Sequence, residues 1–234
     1  MCAAHHNSYP VVELFDSIEG EGHRSGQPAT FVRFAGCNLR CSYCDTAYAL
    51  FNEPERCEFR LLTQFEIMER LNTNYLRVTL TGGEPLIQPH IADLTEGMVH
   101  NDFEVNIETN GAVPIEPLRR KIGNTSRLFF TIDYKLPSSG MEAHMLPENF
   151  RTLLPHDVVK FVVGNDTDIA RMKEVMADMQ TCHNIMPHVY IGAVFGQMAL
   201  RHLAETIIHD PLLADAHLQV QLHKIVWSPT ERGV

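Results

Sequence analysis

Short apolar runs alternate along this chain with stretches whose apolar residues recur three and four apart. That alternation restricts the fold to β/α units around a largely parallel sheet. Residues 29–34, 77–80, 104–107, 128–132, 158–163, 188–191 and 218–222 read as strands. Residues 63–71, 90–100, 166–180 and 197–209 read as amphipathic helices packed outside them. The stretch 134–155 is rich in Pro, Ser, Gly and Met and breaks the alternation. It is expected to form an inserted loop or a short irregular helix. All 234 residues fit one α/β domain, with functional groups at the carboxyl ends of the strands.

Composition narrows the function classes. A formal charge of -10 argues against non-specific attraction to nucleic acid or anionic lipid, so small-molecule chemistry is expected. No run reaches the roughly 20 apolar residues of a membrane span, and residues 1–10 lack the regions of a signal peptide, which predicts a cytoplasmic location. His5 and His6 near the start are given no role.

Three of the six cysteines, Cys37, Cys41 and Cys44, form a C-x3-C-x2-C pattern just after the first predicted strand. They read as metal ligands in a reducing compartment rather than as a disulfide framework. Three thiolates can hold three irons of a [4Fe-4S] cluster and leave the fourth open to a chelating ligand, here the amino and carboxylate groups of S-adenosylmethionine (SAM). A structural zinc site would need a fourth ligand from Cys2, Cys57, Cys182 or a histidine, and Cys57 is near enough to keep a non-enzymatic zinc-binding module as an alternative. Thr81-Gly82-Gly83-Glu84-Pro85 directly follows a predicted strand. Its glycines let backbone approach a ligand, and Glu84 can accept a hydrogen bond from an ammonium group.

These motifs join others over nearly the whole chain: Phe15-Asp16-Ser17-Ile18-Glu19-Gly20-Glu21-Gly22, Phe31-Val32-Arg33, Cys44-Asp45-Thr46, Glu108-Thr109-Asn110-Gly111 and Gln221-Leu222-His223-Lys224. Together they resemble the 7-carboxy-7-deazaguanine synthase family of radical SAM enzymes. The clostridial-type branch is especially similar, through residues 133–142 and the ending Trp227-Ser228-Pro229. The resemblance implies a shortened, partial open (β/α) barrel, usually a homodimer, served by an electron donor such as flavodoxin. It implies ring contraction of 6-carboxy-5,6,7,8-tetrahydropterin with release of ammonia, using a [4Fe-4S] cluster, SAM and Mg²⁺. By the same resemblance Tyr43, Cys44, Asp45, Gly83, Glu84, Asp133, Tyr134 and Lys135 bind SAM, and Thr46 binds Mg²⁺. Ile18, Glu19, Gly20, Glu21, Arg33, Thr81, Glu108 and His223 contact the pterin, and Arg33, Glu108 and His223 take part in catalysis. A radical SAM activase acting on a protein partner is the rival enzymatic reading, motivated by the same triplet.

Three departures from the family pattern bear on the site. Glu19 stands where the family has Gln, exchanging an amide that donates and accepts for a carboxylate that, ionised, only accepts. Asp133-Tyr134-Lys135 stands where much of the family has Ser-Pro-Lys, and the chain runs on to Val234, past the point where shorter members end.

Overall fold

The computed structural model describes residues 7–50, 58–123, 125–228 and 231–234. Among the described residues nine strands form one sheet: β1 Ser8–Ile18, β2 Pro28–Phe34, β3 Arg60–Thr63, β4 Arg77–Gly82, β5 Glu104–Thr109, β6 Leu128–Tyr134, β7 Val158–Val163, β8 His188–Ala193 and β9 His217–Gln219. Their order is β3-β1-β2-β4-β5-β6-β7-β8-β9. β1 runs antiparallel to both β2 and β3, whereas every pairing from β2 through β9 is parallel. β3 and β9 do not pair with each other, so the barrel stays open, as the resemblance implied.

The helices are α1 Gln64–Met68, α2 Ile91–His100, α3 Glu116–Ile122, α4 Pro147–Arg151, α5 Asp166–Cys182, α6 Leu200–His209 and α7 His223–Val226. Thr63 starts α1 with a reciprocal capping box to Glu66, and Asn165 caps α5 through the Asp168 backbone N–H. The four expected helices appear with shifted ends. Strands β1 and β3 and helix α3 have no counterpart among the elements read from periodicity. β1 mixes Glu13 and Asp16 with apolar residues and carries a register shift between Val11 and Glu13, which blurs alternation. The last expected strand is cut to three residues, because Leu222 turns inward to donate its N–H to the Gly20 carbonyl.

Period-two alternation in the central strands divides two environments. Val78, Leu80, Val105, Ile107, Phe130, Ile132, Val159 and Phe161 are fully buried in the apolar core. The alternate positions carry Thr79, Thr81, Asn106, Glu108, Thr131, Asp133 and Lys160, which meet one another across the strands. Thr81 donates to Glu108 at 2.7 Å, Thr131 to Asn106 at 2.9 Å, and Lys160 reaches Asp133 at 3.9 Å. Parallel sheets are normally apolar on both faces, so a polar concave face marks a site.

The β1–β2 turn closes the amino end of the open barrel. Gly26 N–H donates to the Glu19 carbonyl at 2.8 Å, and Glu19 N–H donates to the Gln27 carbonyl at 2.8 Å. Gly22 donates to the Gln219 side chain at 2.7 Å, His23 packs on Phe129, and Arg24 lies over the Phe129 ring at 4.9 Å. The cavity above thereby acquires a floor made from residues far apart in the sheet.

Candidate active site

The cysteine loop leaves the carboxyl end of β2 and is braced from three sides. Gly83 N–H donates to the Phe34 carbonyl at 3.0 Å and Glu84 N–H to the Gly36 carbonyl at 2.8 Å. A Cβ on Gly83 would run into the Gly36 carbonyl, so the close approach requires glycine there. Asn110, following β5, donates to Cys37 Sγ at 3.6 Å and to Asn38 at 2.8 Å. From the 134–155 insertion, the Ser138 and Ser139 carbonyls accept from the Ser42 hydroxyl at 2.6 Å and the Ser42 N–H at 3.0 Å. The insertion, which contains α4 and two short 3-10 turns, therefore holds the cysteine loop in place.

Cys37 and Cys41 are partly buried and Cys44 is exposed; all three are free thiols, and burial pushes Cys41 and Cys44 upward. Among the described residues no three His, Cys, Asp or Glu gather closely enough for a single metal ion. A cubane separates its ligands further, placing one thiolate on each of three irons. Cys2 and Cys57 lie outside the described residues, and Cys182 is exposed at the end of α5, lining a separate groove with Met145 and Phe150.

Beside the loop opens a cavity of about 560 Å³. It is lined by Ile18, Glu19, Gly20 and Glu21 from the floor turn, Arg33, Asp45 and Thr46 after the triplet, Thr81 and Gly83 at β4, and Glu108, Asp133, Lys135 and His223. Most of its charges are already paired. Lys160 holds Glu21 at 2.6 Å, Lys135 holds Asp133 at 2.6 Å, Lys224 holds Asp45 at 3.0 Å, and Arg33 Nε holds Glu13 at 2.9 Å. Burial alone would raise Glu21, but Lys160 overrides it and keeps the carboxyl below its ordinary range. Burial disfavours the Lys160 and Lys135 ammoniums, yet Glu21 and Asp133 respectively outweigh it and raise both amines. Asp45 is likewise held at about 2 by Lys224 against burial.

Arg33 spends only Nε on Glu13; its guanidinium lies over the Phe15 ring at 5.9 Å, and its two terminal amino groups have no hydrogen-bond partner among the described residues and form a fork at the cavity wall. Glu108 spends Oε2 on Thr81. His223 lies over Gly20 so closely that a Cβ there would collide with Nδ1, and burial lowers its pKa. Asp133 Oδ1 is buried without a hydrogen-bond partner, an acceptor suited to a hydroxyl or ammonium of a bound nucleoside. With three cysteines on one braced loop, a glycine cradle and this orphaned acceptor at the adjoining wall, the residues fit a site-differentiated cluster and SAM.

Of the residues expected from sequence, Ile18, Glu19, Gly20, Glu21, Arg33, Asp45, Thr46, Thr81, Gly83, Glu108, Asp133, Lys135 and His223 line this one cavity. The three cysteines sit on the adjoining loop, and the side chains of Glu84, Tyr134 and Tyr43 lie outside the cavity. Glu84 is fully buried and accepts from Leu86 N–H, Thr109 hydroxyl and Asn110 N–H at 2.8–2.9 Å. Burial pushes it up to about 7, and its carboxyl ties the β4 turn to the end of β5 instead of reaching an ammonium group. Tyr134 points to the opposite side of β6, where it contacts Glu142 and Arg171 beside the second groove. Tyr43 reaches the Val162 carbonyl at 3.5 Å behind the cysteine loop. Sequence reasoning missed Lys160 and Arg24. A lysine in the middle of Val-Val-Lys-Phe-Val-Val was the available signal for the first, and nothing local marks the second.

Comparison with known proteins agrees with this arrangement. The Radical SAM superfamily signature matches residues 31–133. A 7-carboxy-7-deazaguanine synthase from Clostridium acetobutylicum is 42% identical over 229 residues, covering 97% of this chain and 100% of the relative. The chain belongs to the 7-carboxy-7-deazaguanine synthase family. A second 7-carboxy-7-deazaguanine synthase, from Chlorobaculum tepidum, is 36% identical and covers 96% of both chains. The crystal structure of QueE from Escherichia coli superposes with a TM-score of 0.73 at 24% identity, over 92% of this chain and 95% of that one, a likeness of fold. As a radical SAM enzyme of this family, the chain uses a [4Fe-4S] cluster and SAM. No helix among the described residues is long and apolar enough to cross a membrane.

Proposed function

We propose that this chain converts 6-carboxy-5,6,7,8-tetrahydropterin to 7-carboxy-7-deazaguanine with release of ammonia, acting as a single radical SAM domain over residues 1–234 in the cytoplasm. The observation that carries this reading is the meeting, in one cavity, of an arginine fork and two carboxylates with the braced cysteine loop, in a chain spanning the full length of a named synthase. Substrate and product differ by one ammonia, so the overall conversion balances with SAM regenerated. When bound, cluster and SAM supply the radical that removes hydrogen from the pterin.

The chain's own groups bind and orient. Cys37, Cys41 and Cys44 would hold three irons of the cluster, and Gly83, Asp133 and Lys135, with the backbone around Tyr43 and Tyr134, would bind SAM. The terminal amino groups of Arg33 take the pterin carboxylate. Thr81 holds one oxygen of Glu108, leaving the other to accept from a pterin N–H. Gly20 and Ile18 shape the floor, and His223 above Gly20 stands where a proton can be exchanged. The Thr46 hydroxyl beside Asp45, 3.1 Å apart, offers hard oxygen ligands suited to Mg²⁺. The working form is a homodimer reduced by a flavodoxin-like donor.

Anaerobic incubation of the cluster-loaded protein with SAM, dithionite, Mg²⁺ and the carboxy-tetrahydropterin tests the reading by mass spectrometry. The expected product is 7-carboxy-7-deazaguanine; its absence from protein with a full cluster and intact SAM cleavage refutes the proposed substrate.

A further inference from the structure

The floor of the cavity contains a charge pair that the family pattern does not predict. Glu19 and Arg24 are 1% and 4% exposed, and Arg24 Nη2 lies 2.6 Å from Glu19 Oε1. The same Nη2 donates to Thr79 Oγ1 at 2.9 Å, and Thr79 in turn donates to Glu19 Oε1. Arg24 is fixed further by the Glu104 and Val78 carbonyls at 3.3 Å and by the Phe129 ring, although its Nε stays buried without a partner. Every hydrogen bond to the Glu19 carboxylate thus falls on Oε1. Oε2 has no partner among the described residues, and the residue lines the cavity.

Resting on the reading of this cavity as the pterin site, we propose that Arg24 is a positioning residue for substrate recognition: by clamping Oε1 it presents Oε2 of Glu19 as an acceptor to a donor edge of the substrate. Glu19 and Arg24 then act as one unit at the position where the family pattern has a neutral amide. The floor residue supplies an anionic acceptor without a substrate-side cation, and Glu108 faces the same space with its own free oxygen. Two such acceptors suit a ligand edge with more than one N–H, as in a 2-amino-4-oxopyrimidine ring.

The electrostatic surroundings make the unit titratable. Burial pushes Glu19 up to about 7, Arg24 opposes that rise, and Glu108 from β5 adds to it. Thr79 from β4 contributes a hydroxyl and no charge, Lys160 from β7 is engaged by Glu21, and His223 from α7 covers the neighbouring Gly20. Binding to an acceptor that must be ionised therefore strengthens as pH rises through neutrality.

The test is the pH profile of KM for the carboxy-tetrahydropterin, with SAM and Mg²⁺ saturating, in the cluster-loaded wild type, E19Q, R24M, R24K and the double variant E19Q/R24M. A single ionisation near pH 7 predicts a KM about tenfold higher at about pH 6 than at about pH 8 in the wild type. E19Q and E19Q/R24M should lose this limb, with kcat changing less than KM. R24M should move it upward by at least about one pH unit, and R24K should restore it toward wild type. If R24M does not fold, R24K and the double variant, which removes both partners together, decide the matter. A limb unmoved in E19Q, or unmoved by the Arg24 substitutions in folded protein, overturns the inference while product formation by the wild type upholds the site. A wild type that makes no 7-carboxy-7-deazaguanine overturns both.

Discussion

Replacing Lys160 by Met removes the amine that bridges Glu21 at 2.6 Å and Asp133 at 3.9 Å inside the cavity wall. The side chains of Lys160 and Glu21 are 14% and 13% exposed, so most but not all of the buried-pair penalty applies. Removing one partner of a fully buried pair costs about 3–5 kcal/mol, and the residual solvent contact reduces this to about 3 kcal/mol here. For a chain of this size that is a loss of about 6–12 °C in Tm, measured in matched cluster-loaded preparations. Lys160 holds the Glu21 pKa below its unfolded value, so the pair's contribution is present above about pH 4.5 and is lost as pH falls through the folded value. The Lys160 pKa is raised, so its contribution is present below about pH 10.5 and is lost as pH climbs past the folded value. The gap between K160M and wild type should therefore be widest near neutrality and narrow in acid, where Glu21 takes a proton. The double variant K160M/E21Q should recover part of the loss, because it no longer buries an unpaired carboxylate. A K160M midpoint within about 2 °C of wild type at neutral pH, or a double variant as unstable as the two single losses summed, refutes the reasoning.

Other substitutions separate the parts of the site. Cys41→Ala should leave two thiolates for the cluster, so iron content falls and SAM cleavage is abolished; wild-type cleavage would reject the ligand assignment. Thr46→Ala should shift the Mg²⁺ titration of activity to higher concentration by about tenfold with iron content unchanged, and a superimposable titration would remove Thr46 from the metal site. Gly83→Ala drives a methyl against the Gly36 carbonyl. It should lower cluster occupancy on reconstitution, measured as iron per chain, while a full complement of iron would show that the loop can yield. Gly20→Ala meets a side chain rather than backbone, the His223 imidazole, and should raise KM for the pterin by about tenfold while leaving iron content intact.

Four of the helices and the central strands were legible because their signals are local. Apolar spacing set the four helices, and the runs at β4, β5, β6, β7 and β8 became strands because β-rich residues were bounded by turns. The cysteine loop was legible for the same reason, since all its ligands lie within eight residues. β1 and β3 escaped periodicity because this antiparallel side of the sheet is only partly buried and tolerates polar residues, and β1 also carries a register shift, so nothing in the local pattern demands a strand. Glu84 illustrates a different limit. Its place in the Gly-Gly-Glu-Pro turn is evident, but the direction of its carboxyl depends on the donors Thr109, at the end of β5, and Asn110, just after it, which arrive from 25 and 26 residues away respectively.

Charge partners were the least legible feature, and the reason is topological. Lys160 meets Glu21 across 139 positions, and Lys224 meets Asp45 across 179. The first pair forms because the β1–β2 turn folds back beneath β7, the second because the segment after β9 reaches the loop that follows the cysteine triplet. A lysine inside an apolar strand signals that some anion must await it, since an unpaired buried ammonium would be too costly, but the strand cannot name the anion. Arg24 gives even less warning, because His-Arg-Ser-Gly reads as an ordinary polar turn. Its burial follows only once the turn is known to be the floor of a barrel, where a solvated arginine becomes the counterion of Glu19. The Glu19 departure therefore makes physical sense only together with Arg24: a carboxylate placed at that depth without a cation would be protonated and lose its value as an acceptor at neutral pH.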